Sequence, residues 1–532
     1  MKQKLLITLL ILPMLVLSQA SMVKDLNPTG DGVTGKIISI NNKIIFNGYE
    51  NITTGNELYE SNGTTSGTVL LKNISLANQS SGNPNKFYKW NNTTVFFEAN
   101  DAANQGNAEL WKTDGTTAGT VLVKDIFVNG ASIPRSFYAW NNKVYFAARP
   151  ANSIGWELFE TDGTASGTNI VSNISTPSQS SGEPEKFFAF NNELFFSAYQ
   201  QGNGREPWKT DGTNVGTTML YNCYPASPSG DPSGFIEYNN EMFFSARDAT
   251  NGFELWKSDG TTAGTLHDTD LNPGNANSYP NNFTLYNSNL FMVATTSIFG
   301  REIMYRNASG TMLLLDDINP GNSSSNPDNL FLFNGVLYFS ANDGVNGTEI
   351  WRSNGTQSGT YMLFNINSTG DSNPSKFIEY NNKLYFTATS SSGIELWRTD
   401  GSILGTQQVA DINPTGDSDP SSMVVYNYAL YFHADDGING RELWKYFDTA
   451  LLSNNDSALA DVKLYPNPTY NNFTIESAEI LKNLDIISIT GDRVKVLNPK
   501  NKTHNIEELS SGIYFIIAST ETKSQTIKLI KK

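Results

Sequence analysis

A glutamate followed two residues later by an apolar residue, usually an aromatic one, recurs nine times in this chain of 532 residues. Successive copies are 52, 48, 49, 48, 48, 47, 46 and 47 residues apart. Self-similarity at this period indicates a repeat architecture, in which each unit buries its apolar faces against its neighbours. The glutamates of repeats 1–9, in chain order, are Glu57, Glu109, Glu157, Glu206, Glu254, Glu302, Glu349, Glu395 and Glu442.

Each repeat has the pattern of four short strands. In repeat 3, residues 136–140 and 143–147 flank Asn141-Asn142, a dipeptide that tolerates the positive φ of a type I′ hairpin turn. Residues 156–159 form the third predicted strand and residues 169–174 the fourth. The second strands are nearly continuous apolar runs, which are typical of strands covered on both faces. The other predicted turns are Asn41-Asn42, Asn91-Asn92, Asn191-Asn192, Asn239-Asn240, Asn287-Ser288, Asn334-Gly335, Asn381-Asn382 and Asn427-Tyr428.

Four-stranded antiparallel units of this length, buried on both faces, are typical of β-propeller blades. The chain ends favour ring closure: segment 22–26 has the pattern of a fourth strand before any hairpin, whereas the last repeat stops after its third strand, at residues 442–445. The sequence predicts an all-β fold in which residues 21–447 form a β-propeller of about nine blades, the N-terminal strand closing the last one. Eight blades plus a stray unit, and two smaller rings, are the alternatives.

Two repeats depart from the pattern. Repeat 6 has Ile303-Met304-Tyr305 where other repeats have Leu-Trp, and it lacks the Asp of Asp-Gly-Thr. Repeat 4 has Pro207 before Trp208, and a proline removes a ladder hydrogen bond unless it lies at a strand end or an edge. We expect a gap in the ring or a specialised surface at these repeats.

The N-terminus indicates export. Residues 1–20 have the features of a secretory signal peptide: Lys2 and Lys4, an apolar run over residues 5–17, and the small residues Ser18 and Ala20 before a cleavage site. No later apolar stretch approaches the length of a membrane span. A formal net charge of −16 makes nucleic acids and anionic membranes poor partners.

Beyond residue 447 the repeat stops. Residues 448–461 have the composition of a linker, and the short strand patterns of residues 462–532 indicate a small β-sandwich. The predicted strands of this C-terminal domain are 463–465, 473–475, 485–489, 493–496, 512–517 and 524–530.

Residues 22–447 resemble the bacterial repeat family named for its Glu-Leu-Trp-x-x-Asp-Gly-Thr signature. Four repeats carry the signature almost whole, at residues 109–116, 254–261, 349–356 and 395–402. The resemblance implies a secreted or surface protein, and it defines no biochemical role.

Residues 462–532 resemble the type A sorting domain of proteins exported by the type IX secretion system. The matching segments are 464–469, 489–494, 509–514 and the basic end 528–532. The resemblance implies handling by the type IX machinery, removal of the tail, and an extracellular or outer-surface location. In the linker, Asp448-Thr449-Ala450 and Asp456-Ser457-Ala458 resemble the O-glycosylation acceptor pattern of bacteria with this system.

The repeated acidic residues are predicted to be structural. A catalytic carboxylate pair needs two different environments, whereas a glutamate present in every repeat has nine similar ones. The Asp of Asp-Gly-Thr suits a turn in which its side chain bonds its own backbone. Cys223, the only cysteine, fits a small buried residue. His267, His433 and His504 lack metal-ligand spacing, and His433 is expected to be packed or on the surface.

The turns between the second and third strands of repeats 7 and 9 are candidates for a calcium site. They carry oxygen-bearing side chains three residues apart in glycine-containing turns, and such oxygens can bind calcium. The same residues also make hairpin turns without an ion, and this interpretation is favoured. The candidate calcium ligands are Asp343, Asn346, Glu349, Asp436, Asn439 and Glu442.

No catalytic motif is evident, so the sequence predicts a secreted or surface-attached propeller that binds a glycan or a protein without catalysis. Ligands are expected at the axial mouth or on loops between blades, because loops on a rigid scaffold commonly carry function. One alternative is a polysaccharide-degrading enzyme with an axial site. Another is a calcium-dependent adhesion or structural protein of the cell surface.

Overall fold

The fold consists of β-strands joined by turns. In a computed structural model, the structure describes residues 19–75, 81–101, 107–175, 181–225, 229–452, 459 and 462–532. Short 3-10 helices lie at Gln357–Gly359 and Thr449–Leu452. The predicted signal peptide, except for its last two residues, falls outside these ranges, as does most of the linker, including the second glycosylation motif. The described part has no helix long and apolar enough to cross a membrane.

The chain divides into two compact units. The larger comprises Met22–Tyr426 and Tyr431–Trp444, and the smaller contains Lys445–Lys532. The larger unit contains nearly all of the repeats, and the smaller contains the C-terminal domain.

Repeats 1–8 each form one antiparallel sheet of four strands in sequence order, so the four-strand prediction is confirmed. Three hairpin connections per repeat make this the simplest arrangement for strands separated by short turns. The strands are Val33–Ile40, Lys43–Tyr49, Asn56–Ser61, Val69–Lys72; Asn85–Asn91, Thr94–Asp101, Asn107–Thr113, Val121–Lys124; Arg135–Trp140, Lys143–Ala148, Glu157–Thr161, Asn169–Ser172; Glu185–Phe190, Glu193–Gln200, Gly204–Thr210, Thr218–Met219; Ser233–Tyr238, Glu241–Asp248, Gly252–Ser258, Leu266–Thr269; Asn281–Tyr286, Asn289–Thr296, Gly300–Arg306, Met312–Leu314; Asp328–Phe333, Val336–Asn342, Thr348–Ser353, Tyr361–Phe364; Ser375–Tyr380, Lys383–Ser390, Gly393–Thr399 and Gln407–Ala410.

The ninth sheet takes its fourth strand from the N-terminus. Its order is Gln19–Lys24, Arg441–Phe447, Ala429–Asp435 and Ser421–Tyr426. The predicted pairing of the first segment with the last repeat is therefore confirmed. Without it, the third strand of repeat 9 would be an unpaired edge.

The hairpin turns between first and second strands have the predicted geometry in eight repeats. Asn141 and Asn142, for example, have φ of 48° and 58°. Repeat 2 differs because its first strand runs through Asn91 and pairs that residue with Thr94. The turn is therefore Asn92-Thr93, one residue later than predicted, and Asn91 Oδ1 accepts hydrogen bonds from the Thr93 backbone and hydroxyl.

Each sheet buries both faces. Adjacent residues of one second strand, Phe96 and Phe97, pack in different cores because strand side chains alternate between faces. Phe97 packs with Leu71 and Ile74 of repeat 1, and Phe96 packs with residues of repeat 3 such as Phe146. Cys223 is likewise buried in an inter-repeat core, as predicted, and burial raises the pKa of its thiol.

The C-terminal domain has two sheets around one core, which is the arrangement of a β-sandwich. The strands are Lys463–Tyr465, Asn472–Glu476 and Thr503–Asn505 in one sheet, and Asn483–Ser488, Arg493–Val496, Gly512–Ser519 and Ser524–Lys531 in the other. Phe473, Ile486 and Ile516 are fully buried in the shared core. Thr503–Asn505 was not predicted, because it is short and polar.

Candidate functional site

The repeat glutamates are buried inside their own repeats. All nine have no exposed surface. In repeat 5, Glu254 Oε2 accepts hydrogen bonds from the Leu271 backbone at 2.8 Å and the Ser278 hydroxyl at 2.6 Å, and Oε1 accepts from the Ser278 backbone at 3.0 Å. These donors belong to the connection that leads to the next repeat. The glutamate therefore fixes that connection, which supports a structural role.

Burial raises the pKa of several of these carboxyl groups. Loss of solvation is the main cause, and the hydrogen bonds from Ser278 and Leu271 act in the opposite direction. The pKa of Glu254 is about 7, compared with an ordinary value of 4.5. The same value applies to Glu57, Glu157, Glu206, Glu302 and Glu442.

The Asp-Gly-Thr turns have the predicted geometry. Asp114 Oδ1 accepts hydrogen bonds from the Thr116 backbone at 2.8 Å and its hydroxyl at 2.7 Å. The Gly115 carbonyl accepts a hydrogen bond from Lys43 Nζ of the preceding repeat at 2.9 Å. The motif thus stabilises a turn and also links neighbouring sheets.

The structure gives the candidate calcium ligands separate roles. Asp343 Oδ1 accepts hydrogen bonds from the Val345 and Asn346 backbones at 2.9 and 2.7 Å. The Glu349 carboxylate instead accepts from Ile366 and Ser372, both at 2.7 Å. In repeat 9, Asp436 bonds Ile438 and Asn439 in the same way, and Glu442 Oε1 accepts from Asn27 at 3.1 Å. Within the described ranges, no group of three or more His, Cys, Asp or Glu residues is arranged to hold a metal. Calcium binding stays a prediction.

His433 is packed, as expected. It is 7% exposed, and its Nε2 lies 2.9 Å from the Gly35 carbonyl. Its Nδ1 lies 3.0 Å from Arg441 Nη1 and 3.2 Å from the Ser421 hydroxyl. Burial, then the Arg441 charge, lowers the pKa of His433 to about 4. This ring is therefore neutral at neutral pH, and it links the Gly35 carbonyl to the Arg441 guanidinium by hydrogen bonds.

A different set of residues distinguishes repeats 3–5 from the others. The residue that precedes the repeat glutamate faces a residue at or near the end of the second strand, and this pair varies between repeats. Only repeats 3, 4 and 5 combine an arginine with an aromatic residue there: Arg149 with Trp156, Tyr199 with Arg205, and Arg247 with Phe253. We call these six residues the Arg–aromatic strip. Sequence reasoning missed it, although comparison of the variable positions across repeats could have found it.

In repeat 3, an arginine lies between two aromatic rings. The guanidinium carbon of Arg149 is 5.4 Å from the ring centroids of both Phe127 and Trp156. Its Nε and Nη2 donate to the Ala131 carbonyl at 3.2 and 2.9 Å. Arg135 stacks on the same indole at 4.2 Å. These contacts hold the side chains in one arrangement.

Repeat 5 repeats this construction. The Arg247 guanidinium carbon is 5.2 Å from the ring centroids of both Tyr224 and Phe253, and Nε and Nη2 donate to the Ser229 carbonyl. Tyr279 stacks on Phe253 with centroids 5.1 Å apart and is 50% exposed. An aromatic surface is thus available to solvent beside a fixed guanidinium.

Repeat 4 lies between repeats 3 and 5 in the chain, and in it the arginine and the aromatic residue exchange positions. Tyr199 pairs with Arg205 across the strands and is 37% exposed. Arg205 Nη1 and Nη2 donate to the Glu183 carbonyl and carboxylate at 2.9 and 2.8 Å, and Nη1 lies 3.5 Å from the Glu185 carboxylate. Arginine, aromatic and carboxylate groups are therefore adjacent along three consecutive repeats.

Comparison with known proteins decides the identity of the C-terminal domain. Residues 463–532 match the secretion system C-terminal sorting domain. This sorting domain belongs to the type IX pathway, so the protein is delivered to the cell surface or the extracellular space. No curated protein matches the chain.

Several solved structures are similar to parts of the chain at low sequence identity. A puromycin-hydrolyzing peptidase of Mycobacterium tuberculosis is 10% identical, with 66% of this chain and 57% of that chain covered, at a TM-score of 0.38. Oligopeptidase B from Leishmania major is 11% identical, with 65% and 53% covered, at a TM-score of 0.35. The extracellular domain of BT4673 from B. thetaiotaomicron is 12% identical, with 94% and 80% covered, at a TM-score of 0.32. The chain thus spans less than two thirds of the peptidases, and these similarities assign no activity.

Proposed function

We propose that residues 22–447 form a closed propeller of nine blades, of the Glu-Leu-Trp-x-x-Asp-Gly-Thr repeat type, that binds a glycan or protein ligand without catalysing a reaction. Closure is supported by contacts between the last and first repeats. The Ile37 backbone donates to the Ser422 hydroxyl at 2.7 Å, and the Tyr426 hydroxyl donates to the Asn42 carbonyl. The shared ninth sheet adds a second link between the chain ends.

The Arg–aromatic strip is the observation that carries the binding proposal. Tyrosine, tryptophan and arginine are the residues that contribute most to binding energy at interfaces. Here an arginine is paired with a tryptophan, a tyrosine or a phenylalanine on three consecutive repeats, whereas repeat 2 pairs Asn100 with Ala108 at the same positions. The repeat glutamates, by contrast, recur in all nine repeats, and each accepts a hydrogen bond from a backbone donor.

The test is a binding screen with the secreted protein on a glycan array and against surface proteins of its own cells. We expect a specific ligand to be retained and recovered unchanged. Release of new reducing ends from a bound glycan, or of cleaved peptides from a bound protein, would show that the protein is an enzyme.

A further inference from the structure

We propose that the Arg–aromatic strip, extended by Tyr279 and by Glu183, Glu185 and Asp231, binds a neutral polysaccharide along repeats 3–5. This inference rests on the proposed binding function and specifies its ligand. The strip presents three kinds of group that a sugar chain needs together, and it presents them in consecutive units.

The first group is the aromatic surface. The flat face of a pyranose ring carries several C–H bonds, which pack favourably on the electron-rich face of an aromatic ring. Tyr199 and Tyr279 are the exposed aromatics of the extended strip, and Trp156 and Phe253 are half-buried. Arginines stack on Trp156 and Phe253, and Tyr279 stacks on Phe253, so these three rings lose little freedom on binding.

The second and third groups are fixed donors and fixed acceptors. Sugar hydroxyls both donate and accept hydrogen bonds, so their recognition needs both types of partner. Arg247 has Nε and Nη2 on the Ser229 carbonyl, with Nη1 as its remaining donor nitrogen, and the Asp231 carboxylate lies 3.8 Å from Nη2. Arg205 with Glu183 and Glu185 offers the same combination.

The charge of the strip favours a neutral ligand. Arg135 and Arg205 lie beside Glu183 and Glu185, and Arg247 lies beside Asp231, so most of the charge of the strip is paired with an opposite charge. The whole chain is acidic, with a formal net charge of −16. A polyanionic polysaccharide would be repelled at long range, whereas a neutral one would not.

Backbone strain adds an independent sign of selection for side-chain identity. The residue before the proline that precedes each first strand has positive φ in repeats 2–9. Asn occupies this position at Asn83, Asn326 and Asn373, as expected for the residue that best tolerates this conformation. Tyr279 has φ of 47° at the same position, where a bulky side chain is unfavourable. Strain of this kind clusters at functional sites.

Affinity electrophoresis tests the proposal by measuring how far the full secreted chain is retarded in gels that contain laminarin, barley β-glucan, xyloglucan or galactomannan. We expect retardation by at least one of them. Tyr279→Asn and Arg247→Thr should weaken it by about tenfold or more, with the melting temperature unchanged or higher. Both variants insert a residue that other repeats carry at the same position, Asn326 and Thr295 for example, so the fold should tolerate them.

Leu404→Asn is the matched control, because Leu404 is 94% exposed in the turn between third and fourth strands of repeat 8. It should bind like the wild type. Failure of all four polysaccharides to bind, or equal binding by Tyr279→Asn and wild type, would overturn the proposal. Stronger binding to polygalacturonate, abolished by about 0.5 M NaCl where charges are screened within a few ångströms, would also overturn it.

The outcomes separate this inference from the proposed function. If a bound polysaccharide gains reducing ends, the proposal of a non-catalytic function is wrong. The proposal that the strip binds this polysaccharide still stands in that case. If the wild type binds a polysaccharide that both strip variants bind equally well, the binding function stands and the strip is wrong.

Discussion

At the scale of single residues, the left-handed positions before proline differ in how well their side chains suit this conformation. Asn and Asp fill most of these positions, whereas Ile133 and Tyr279 are bulky. Both belong to the repeats that form the Arg–aromatic strip or flank it. The Ile133 carbonyl accepts a hydrogen bond from the Trp156 indole at 3.2 Å, so its backbone position matters more to the strip than its side chain.

We therefore expect Ile133→Asn to stabilise the protein by about 1 kcal/mol, because a branched side chain in the left-handed region costs about that much. Chemical denaturation would measure the change. The reciprocal variant Asn326→Ile, at φ of 46°, should destabilise by a similar amount. Equal stability of the two variants would show that the left-handed conformation carries no penalty here.

The buried glutamates make stability depend on pH. The folded pKa of Glu254, about 7, lies above the ordinary value of 4.5, so the folded state binds the proton more tightly than the unfolded state. This contribution is fully present below pH 4.5 and is lost as pH rises through about 7. We expect the denaturant concentration at the unfolding midpoint to decrease as the pH is raised from about 5 to about 8. The decrease should be smaller for Glu254→Gln. Parallel pH profiles for variant and wild type would contradict this.

At the scale of elements, the N-terminal strand is the least local part of the repeat fold. It pairs with the strand Arg441–Phe447 at the other end of the repeats, and Val23 is 3% exposed there. The Val23 carbonyl also accepts a hydrogen bond from the Thr65 hydroxyl at 2.7 Å, which ties the strand to repeat 1. One short strand thus contacts both the last and the first repeat.

Val23→Asp should destabilise the protein by about 3 kcal/mol or more, because it buries an unpaired carboxylate. Val69→Asp places the same group on the fourth strand of repeat 1, where the side chain is 41% exposed, and should change stability by less than about 0.5 kcal/mol. Thermal unfolding of both variants gives the comparison. A similar loss of unfolding free energy in both variants would mean that pairing of the N-terminal strand with the last repeat does not stabilise the fold.

At the scale of the whole molecule, the repeats and the sorting domain are separate compact units with separate cores. The sorting domain directs export, and the proposed ligand site lies on the repeats. We expect a chain that ends at residue 461 to fold and keep the proposed binding, because the described cores between repeats 1 and 8 are built from repeat residues alone.

Such a truncated chain should accumulate in the periplasm instead of reaching the cell surface or the medium. Immunoblots of cell fractions would locate it, with limited proteolysis to verify that the repeats are folded. Deletion of residues 453–458 leaves the sorting domain intact and serves as the control. Efficient export of the truncated chain would contradict the assigned role of residues 463–532.

The sequence by itself determined most features that have a local cause. Paired Asn residues produced hairpin turns, the period produced the four-stranded units, and apolar runs produced sheets buried on both faces. Repeat 2 shows the limit of this reasoning, because three polar residues in a row, Asn91 to Thr93, left the turn position ambiguous by one residue.

Only the tertiary structure decided which groups meet. The sequence placed Glu349 near Asp343 and Asn346, yet its carboxylate faces the connection that contains Ile366 and Ser372. Arg149 of the strip likewise contacts both Phe127 and Trp156, which lie in different connections of the chain. Strand alternation fixes the face on which a side chain lies, but the contacts across faces depend on how adjacent sheets pack, and that is a property of the assembled fold.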